Sequence, residues 1–264
     1  MEILTTVLIV AVTGFIAGAV LVIASKFMYV YEDERIGLVS GCLPGANCGA
    51  CGYAGCADYA KAIVEKGAAT NLCVPGGKNA VEDVSKVMGV EAVAATPKKA
   101  VVACQGYTCN TGTKFDYQGI STCAAASKLF AGPSDCAYGC LGFGDCVNVC
   151  PFDAIKIVDG AARVIQEKCT GCGACAKACP KLIISIMNES ENPVVLCHNA
   201  DKGAQTRKVC STGCIGCMKC TKVCPTGAIT VANNLATIDQ SLCSGCMQCV
   251  SECPVKAIAL PNCR

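Results

Sequence analysis

The run Cys243-Ser-Gly-Cys246-Met-Gln-Cys249-Val-Ser-Glu-Cys253-Pro254 constrains this chain more than any other stretch. Three cysteines are each separated by two residues, a fourth follows after three more, and proline comes next. This is the spacing of a loop that wraps a [4Fe–4S] cube, and thiolates suit the soft iron of such a cluster. Where two such cubes lie side by side, the first three cysteines bind one cube and the proline-flanked fourth binds its neighbour. One run therefore implies a partner run.

The chain supplies several. Cys169, Cys172, Cys175 and Cys179 precede Pro180, and Cys214, Cys217, Cys220 and Cys224 precede Pro225. An irregular copy has Cys136, Cys140, Cys146 and Cys150 before Pro151, with Phe143 where regular spacing asks for cysteine. Cys123, Cys136, Cys140, Cys146, Cys150, Cys169, Cys172, Cys175 and Cys179 each return as a cysteine 74 residues later. Nine coincidences at one offset mark an internal duplication rather than composition. Phe143 faces Cys217 in this register, so Cys136 is expected to supply the missing ligand of the first copy.

Twenty-seven cysteines in 264 residues would suit a disulfide scaffold in a short secreted protein. Their clustered spacing, odd number and cluster motifs argue instead for thiolates held in a reducing compartment. Structural zinc also uses C-x2-C pairs, but has no need of repeated C-x2-C-x2-C-x3-C-P. The net charge of +2 gives no electrostatic case for nucleic acid. His198 is the single histidine, which excludes a Ser-His-Asp set among the cluster ligands. No strand followed by G-x-G-x-x-G and no phosphate loop is present, so no flavin or nucleotide is expected on this chain.

Residues 3–25 are uncharged and rich in Val, Ile, Leu and Ala, long enough for a helix to cross a bilayer core. A cleaved signal peptide would carry a basic leading segment and a shorter apolar core, whereas Glu2 leads here. Lys26 and Arg35 follow the stretch, which places the C-terminal side in the cytoplasm. Gly14 and Gly18 would let another membrane helix approach closely. Residues 31–40 read as a polar linker. Cys48, Cys51, Cys56 and Cys73 then form a C-x2-C-x4-C-x16-C set among glycines. Helices are expected over 57–67 and, capped by Asn79, over 79–93. Ala100-Val-Val-Ala-Cys104 and Pro193-Val-Val-Leu-Cys197 read as matching strands.

The expected fold class is α+β: a single N-terminal transmembrane helix, a small helical [4Fe–4S] domain, and a duplicated pair of bacterial two-[4Fe–4S] ferredoxin-like modules. The boundaries are 1–28 for the anchor, 29–40 for the linker, 41–95 for the first cluster domain, and 96–190 and 191–264 for the modules. Crossed ligation assigns Cys136, Cys140, Cys146 and Cys179 to one cluster, and Cys150, Cys169, Cys172 and Cys175 to its neighbour. In the second module the sets are Cys214, Cys217, Cys220, Cys253 and Cys224, Cys243, Cys246, Cys249. With the first domain this makes five [4Fe–4S] clusters. Cys104, Cys123, Cys197 and Cys210 are left over, either as ligands of a sixth cluster or as buried thiols. Cys42, Cys109 and Cys263 read as bystanders.

An anchor, the Asn47-Cys48-Gly-Ala-Cys51-Gly-Tyr-Ala-Gly-Cys56…Cys73 motif and the modules behind it together resemble the B subunits of Rnf complexes, the membrane ferredoxin:NAD oxidoreductases. The resemblance covers nearly the whole chain, and the duplicated module marks a long version. It implies an iron–sulfur electron-transfer subunit of a translocase that couples electron flow from reduced ferredoxin to NAD with transport of sodium ions or protons. It also implies soluble ferredoxin as donor, the other Rnf subunits as partners, and a place on the cell inner membrane. An electron-transfer polyferredoxin component of another membrane oxidoreductase, a hydrogenase or dehydrogenase, is the alternative.

Overall fold

The computed structural model describes residues 2–27, 33–93 and 96–261. Helix α1 (Glu2–Phe27) opens the chain. Its described side chains are Thr5, Val7, Leu8 and those of 11–24, nearly all exposed, Phe15 by 80%. Among the described residues no helix is long and apolar enough to cross a membrane. The stretch expected over 3–25 as a transmembrane helix is thus helical, as α1, and its spanning role is not supported.

The linker expected over 29–40 is corrected by α2 (Glu34–Cys42). Asp33 caps it, its carboxylate accepting the backbone N–H of Arg35 at 3.0 Å. The Arg35 guanidinium grips the same carboxylate at 2.6 Å, and these bonds hold Asp33 down at about 2. Charged Glu34 and Arg35 disguise an apolar stripe of Ile36, Val39 and Leu43 that joins the first core. Helix α2 packs on α3 (Cys56–Lys66) and α4 (Gly77–Met88). Both end on a left-handed glycine, Gly67 at φ 63° and Gly89 at φ 65°, which terminates the hydrogen-bond ladder. The cap expected at Asn79 lies inside α4, which begins two residues earlier behind Gly76.

Tyr59 is the largest side chain of this core, with no exposed surface. Its hydroxyl donates to the Ala69 carbonyl at 2.6 Å and accepts the Leu72 N–H at 3.1 Å, so it ties α3 to the loop before Cys73. Burial pushes its phenol up to about 12.

The rest of the chain is built twice. First come β1 (Lys98–Val102), α5 (Cys123–Ala126), α6 (Asp145–Asn148), β2 (Ile155–Val158), β3 (Ala161–Val164), α7 (Ala174–Ala178) and β4 (Ile184–Asn188). Then come β5 (Val194–Val195), α8 (Gly203–Val209), α9 (Lys219–Val223), β6 (Ile229–Ala232), β7 (Leu235–Ile238), α10 (Gln248–Ser251) and β8 (Ile258–Ala259). In each half the first strand pairs antiparallel with the last, β1 with β4 and β5 with β8, and the middle two form a hairpin. The backbone repeats with the sequence: positive φ recurs 74 residues on at Asp159 and Asn233, at Leu182 and Lys256, and at Gly144 and Met218. Asp159-Gly160 and Asn233-Asn234 are two-residue hairpin turns with positive φ throughout, the twist that suits paired strands. Much of each core is cysteine packed on Ala, Val and Ile. The ferredoxin-like α+β modules are present as expected.

Replacing Tyr59 with Phe removes a buried hydroxyl and strands the Ala69 and Leu72 partners. Thermal unfolding of the iron-loaded chain should show the first domain weakened by about 1–3 kcal/mol; an unchanged transition would mean the hydroxyl ties nothing down.

Candidate iron–sulfur sites

In the first domain Cys48 and Cys51 sit on the loop after α2, Cys56 opens α3, and Cys73 lies in the loop before α4. Asn47 shapes this loop. It holds φ at 46°, and its side-chain oxygen accepts the Cys56 N–H at 2.8 Å, capping α3 from nine residues away. Burial raises the Cys73 thiol, the Gly76 N–H opposes that, and Cys56, Cys51 and Cys48 raise it further through like charge. Cys73 is buried in the first core, with Cys51 and Cys56 packed against it.

The regular sets of the modules also gather. Cys150, Cys169, Cys172 and Cys175 ring an empty space of about 290 Å³ walled by Phe152 and Ile155. Cys214, Cys217, Cys220 and Cys253 ring one of about 340 Å³. Burial raises the Cys249 thiol, and like charge on Cys243, Cys246 and Cys224 raises it further. Backbone N–H groups point at the sulfurs: Ala100 at Cys169 (3.3 Å), Ala154 at Cys150 (3.4 Å) and Ala257 at Cys253 (3.3 Å). The loop backbone comes so close that a Cβ on Gly171, φ 68°, would collide with the Lys98 carbonyl.

The irregular set differs from expectation at one position. A space of about 320 Å³ is ringed by Cys140, Cys146, Cys179 and Cys123, with Cys136 outside it. Burial pushes Cys146 up to about 12, followed by like-charge effects from Cys140, Cys123 and Cys179. Cys123 reaches this place because Asp145 clamps α5 onto α6. One carboxylate oxygen accepts the Cys123 N–H and the other the Ala124 N–H, both at 2.9 Å. Phe143, at the register position of Cys217, packs edge-on against Tyr117 with ring centroids 5.4 Å apart. Cys136 instead lines a space of about 390 Å³ together with Cys104, Cys197 and Cys210.

The signal that separates Cys123 from Cys136 lies in the spacings. Cys104 and Cys197, each two residues past the end of equivalent strands, are 93 residues apart, whereas the register elsewhere is 74. The difference of 19 residues is an insertion between Cys104 and Cys136, and Cys123 rides on it. Its match to Cys197 at the common offset is fortuitous.

Among the described residues no three His, Cys, Asp or Glu side chains converge tightly enough to hold one metal ion. A zinc ion would draw its sulfurs to about 2.3 Å from a single point. A cube asks for something else, four thiolates each on a different iron, so the sulfurs stand around a cavity. The thiols ring cavities in this way, with N–H groups aimed at them, and the donor set fits [4Fe–4S]. The described cysteines are all free thiols. Cys109 is exposed, Cys42 flanks the first core, and Cys263 lies outside the described residues.

Cys123→Ser should therefore cost the iron-loaded chain about one cube, read as about four irons. Adding Phe143→Cys, which restores regular spacing, should return it. Full iron content in the single variant would contradict the placement of Cys123.

Residues 43–75 match the FeS family model, an Fe-S cluster family. Two models described as 4Fe-4S dicluster domain match residues 131–180 and residues 168–228 and 213–257. The chain is 47% identical over 90% of its length to the B subunit of the Na(+)-translocating ferredoxin:NAD(+) oxidoreductase complex of Acetobacterium woodii, covering 72% of that protein. It is 43% identical to the B subunit of the ion-translocating oxidoreductase complex of Methanosarcina acetivorans, covering 90% of each chain. With the B subunit of the proton-translocating ferredoxin:NAD(+) oxidoreductase complex of Clostridium ljungdahlii it shares 42% identity over 89% of its length and 83% of that protein. Likeness on this scale, running through the first-domain motif and both modules, means that the chain belongs to the B-subunit family of Rnf-type ion-translocating oxidoreductase complexes.

Proposed function

We infer that this chain is the iron–sulfur electron-transfer subunit of an ion-translocating ferredoxin:NAD oxidoreductase. The observation that carries the reading is a succession of four-thiol groups through the whole of a chain that belongs to the Rnf B-subunit family. Five groups are taken as resident [4Fe–4S] sites: Cys48, Cys51, Cys56, Cys73; Cys123, Cys140, Cys146, Cys179; Cys150, Cys169, Cys172, Cys175; Cys214, Cys217, Cys220, Cys253; and Cys224, Cys243, Cys246, Cys249. Bound clusters supply reversible one-electron reduction, with no bond made or broken on substrate at this chain.

The protein's own residues set the conditions. Apolar walls limit water around the buried sulfurs, Cys217 and Cys246 being exposed, and N–H donors favour the more negative state of whatever the sulfurs bind, which moves reduction potentials upward. Proximity of the groups is supported by mutual influence between thiols. Cys172 is raised by burial and, among its neighbours, by Cys48 of the first domain. A Cβ at Gly49 would lie 3.8 Å from the Lys177 ammonium, so the first domain abuts the first module. Crossed ligation ties the pairs within each module, Cys146 being raised in part by Cys175 of the next set.

Helix α1 is proposed as a single-pass anchor in the cell membrane, with the cluster domains facing the cytoplasm. Its exposed apolar side chains and the basic residues that follow support this. Other subunits of the complex carry the nicotinamide chemistry and the ion path, and soluble ferredoxin is the donor.

Anaerobic purification from native membranes should bring multi-span and flavin-carrying subunits with ferredoxin-dependent NAD reduction. A nickel or molybdenum enzyme alongside the chain would overturn the reaction assigned. Within the complex, Cys246→Ala should remove one signal from a reductive electron paramagnetic resonance titration and slow ferredoxin-dependent turnover; full turnover without that signal would take its cluster off the path.

A further inference from the structure

The two modules meet at thiols that neither needs for its own pair of clusters. Cys104 ends the stretch after β1, and Cys197 ends the equivalent stretch after β5. Cys136 and Cys210 each stand four residues before the first cysteine of their module's ligand loop, Cys140 and Cys214. Each module thus offers one strand-end cysteine and one cysteine upstream of its first loop. The four line one space at the boundary of the modules, as two of the other sets line theirs.

The surroundings repeat as well. Cys104 Sγ accepts the N–H of Gly106 at 3.2 Å and that of Cys140 at 3.3 Å. Cys197 Sγ accepts the N–H of Asn199 at 3.4 Å and that of Cys214 at 3.2 Å. Asn199, 2% exposed, reaches across the boundary, its side-chain amide donating to Cys136 Sγ at 3.5 Å while its oxygen accepts the Asp201 N–H at 2.7 Å. The Cys210 thiol lies 3.5 Å from the Thr212 hydroxyl. A Cβ on Gly139 would touch Cys136, and one on Gly213 would touch Cys210 and collide with Thr206, so both upstream turns are tightly packed around glycine. Further hydrogen bonds seal the boundary: Thr111 to the Val209 carbonyl at 2.8 Å and Gln105 to the Lys256 carbonyl at 3.0 Å. Donors from both modules thus converge on four sulfurs, a donor set that suits a cube.

We propose that Cys104, Cys136, Cys197 and Cys210 hold a sixth [4Fe–4S] cluster that joins the two ferredoxin-like modules. The inference rests on the reading that the modules themselves carry clusters. On binding, the four thiols release four protons to solvent and four iron–sulfur bonds form. A cluster held by these four thiols would supply one-electron exchange with its neighbours, one losing the electron that the other gains, with no bond broken. Its two neighbours are reached through single residues, since Cys104 bonds to the peptide N–H of Cys140 and Cys197 to that of Cys214. Without it, the sets around Cys140 and Cys214 face each other across an apolar and hydrogen-bonded seam; with it, the modules form one conductor.

The test is the iron, sulfide and zinc content of the full chain purified anaerobically in its complex, with the spins counted after full reduction. The expected result is about 24 irons, as in six cubes. Cys136→Ser should lose about four irons and one signal while leaving the other signals in place. Its loss should differ from that of Cys123→Ser in which signal disappears. A wild-type content of about 20 irons, with or without one zinc, would overturn the proposal while leaving the five-cluster reading intact. So would a Cys136→Ser chain with full iron and spin count. If the wild-type chain carries no iron–sulfur at all, the functional reading and this inference both fall. The wild-type count stands even where a variant does not fold.

Discussion

The burial of sulfur governs this structure. The modules have little else to fold around: their cores are cysteines packed on Ala, Val and Ile, with two-stranded ladders too short to hold on their own. Burial pushes Cys104 and Cys146 up to about 12 and Cys175, Cys197 and Cys220 up to about 11, so as bare thiols they would stay protonated. Cluster binding at these thiols would release those protons and spread the charge over a cube, turning an unfavourable burial into a cohesive contact. Metal binding and folding are then one process, as in other small metal-dependent domains. The same burial limits water around the sulfurs, so what stabilises the fold also sets the redox properties.

Duplication explains the layout. A hairpin, two short helices and a pair of terminal strands recur with the same left-handed turns, down to Met218 and Met247 adopting the positive φ that Gly144 and Gly173 adopt in the first copy. Methionine there costs more than glycine, so the loop around the thiols dictates the conformation and the side chain tolerates it. Two equivalent units placed face to face bring equivalent residues to the seam. Four cysteines from two copies meet there for that reason, with matching N–H donors on either side.

Regular motifs made most of this legible in the sequence. Cys150 with Cys169–Cys175, and Cys214–Cys220 with Cys253, line shared spaces, since each group joins one short loop to one distant partner. What the sequence hid was long-range. Cys123 enters its site from an insertion, clamped by Asp145 across 22 residues, and no local pattern announces that bond. Helix α2 was hidden by its charged first turn, and the start of α4 by a glycine cap where asparagine was the stronger local signal. Tyr59 gives no sign in the sequence that it holds the Cys73 loop.

The most direct test of buried sulfur as a cluster-binding core is a structure of the anaerobically purified, iron-loaded chain with iron located by its anomalous scattering. Compact groups of four irons are expected inside each ring of thiols, with Cys123 on the group shared with Cys140, Cys146 and Cys179, and a further group between Cys104, Cys136, Cys197 and Cys210. Single metal ions in the rings, disulfides in their place, or Cys136 bound beside Cys140 and Cys146 would contradict it.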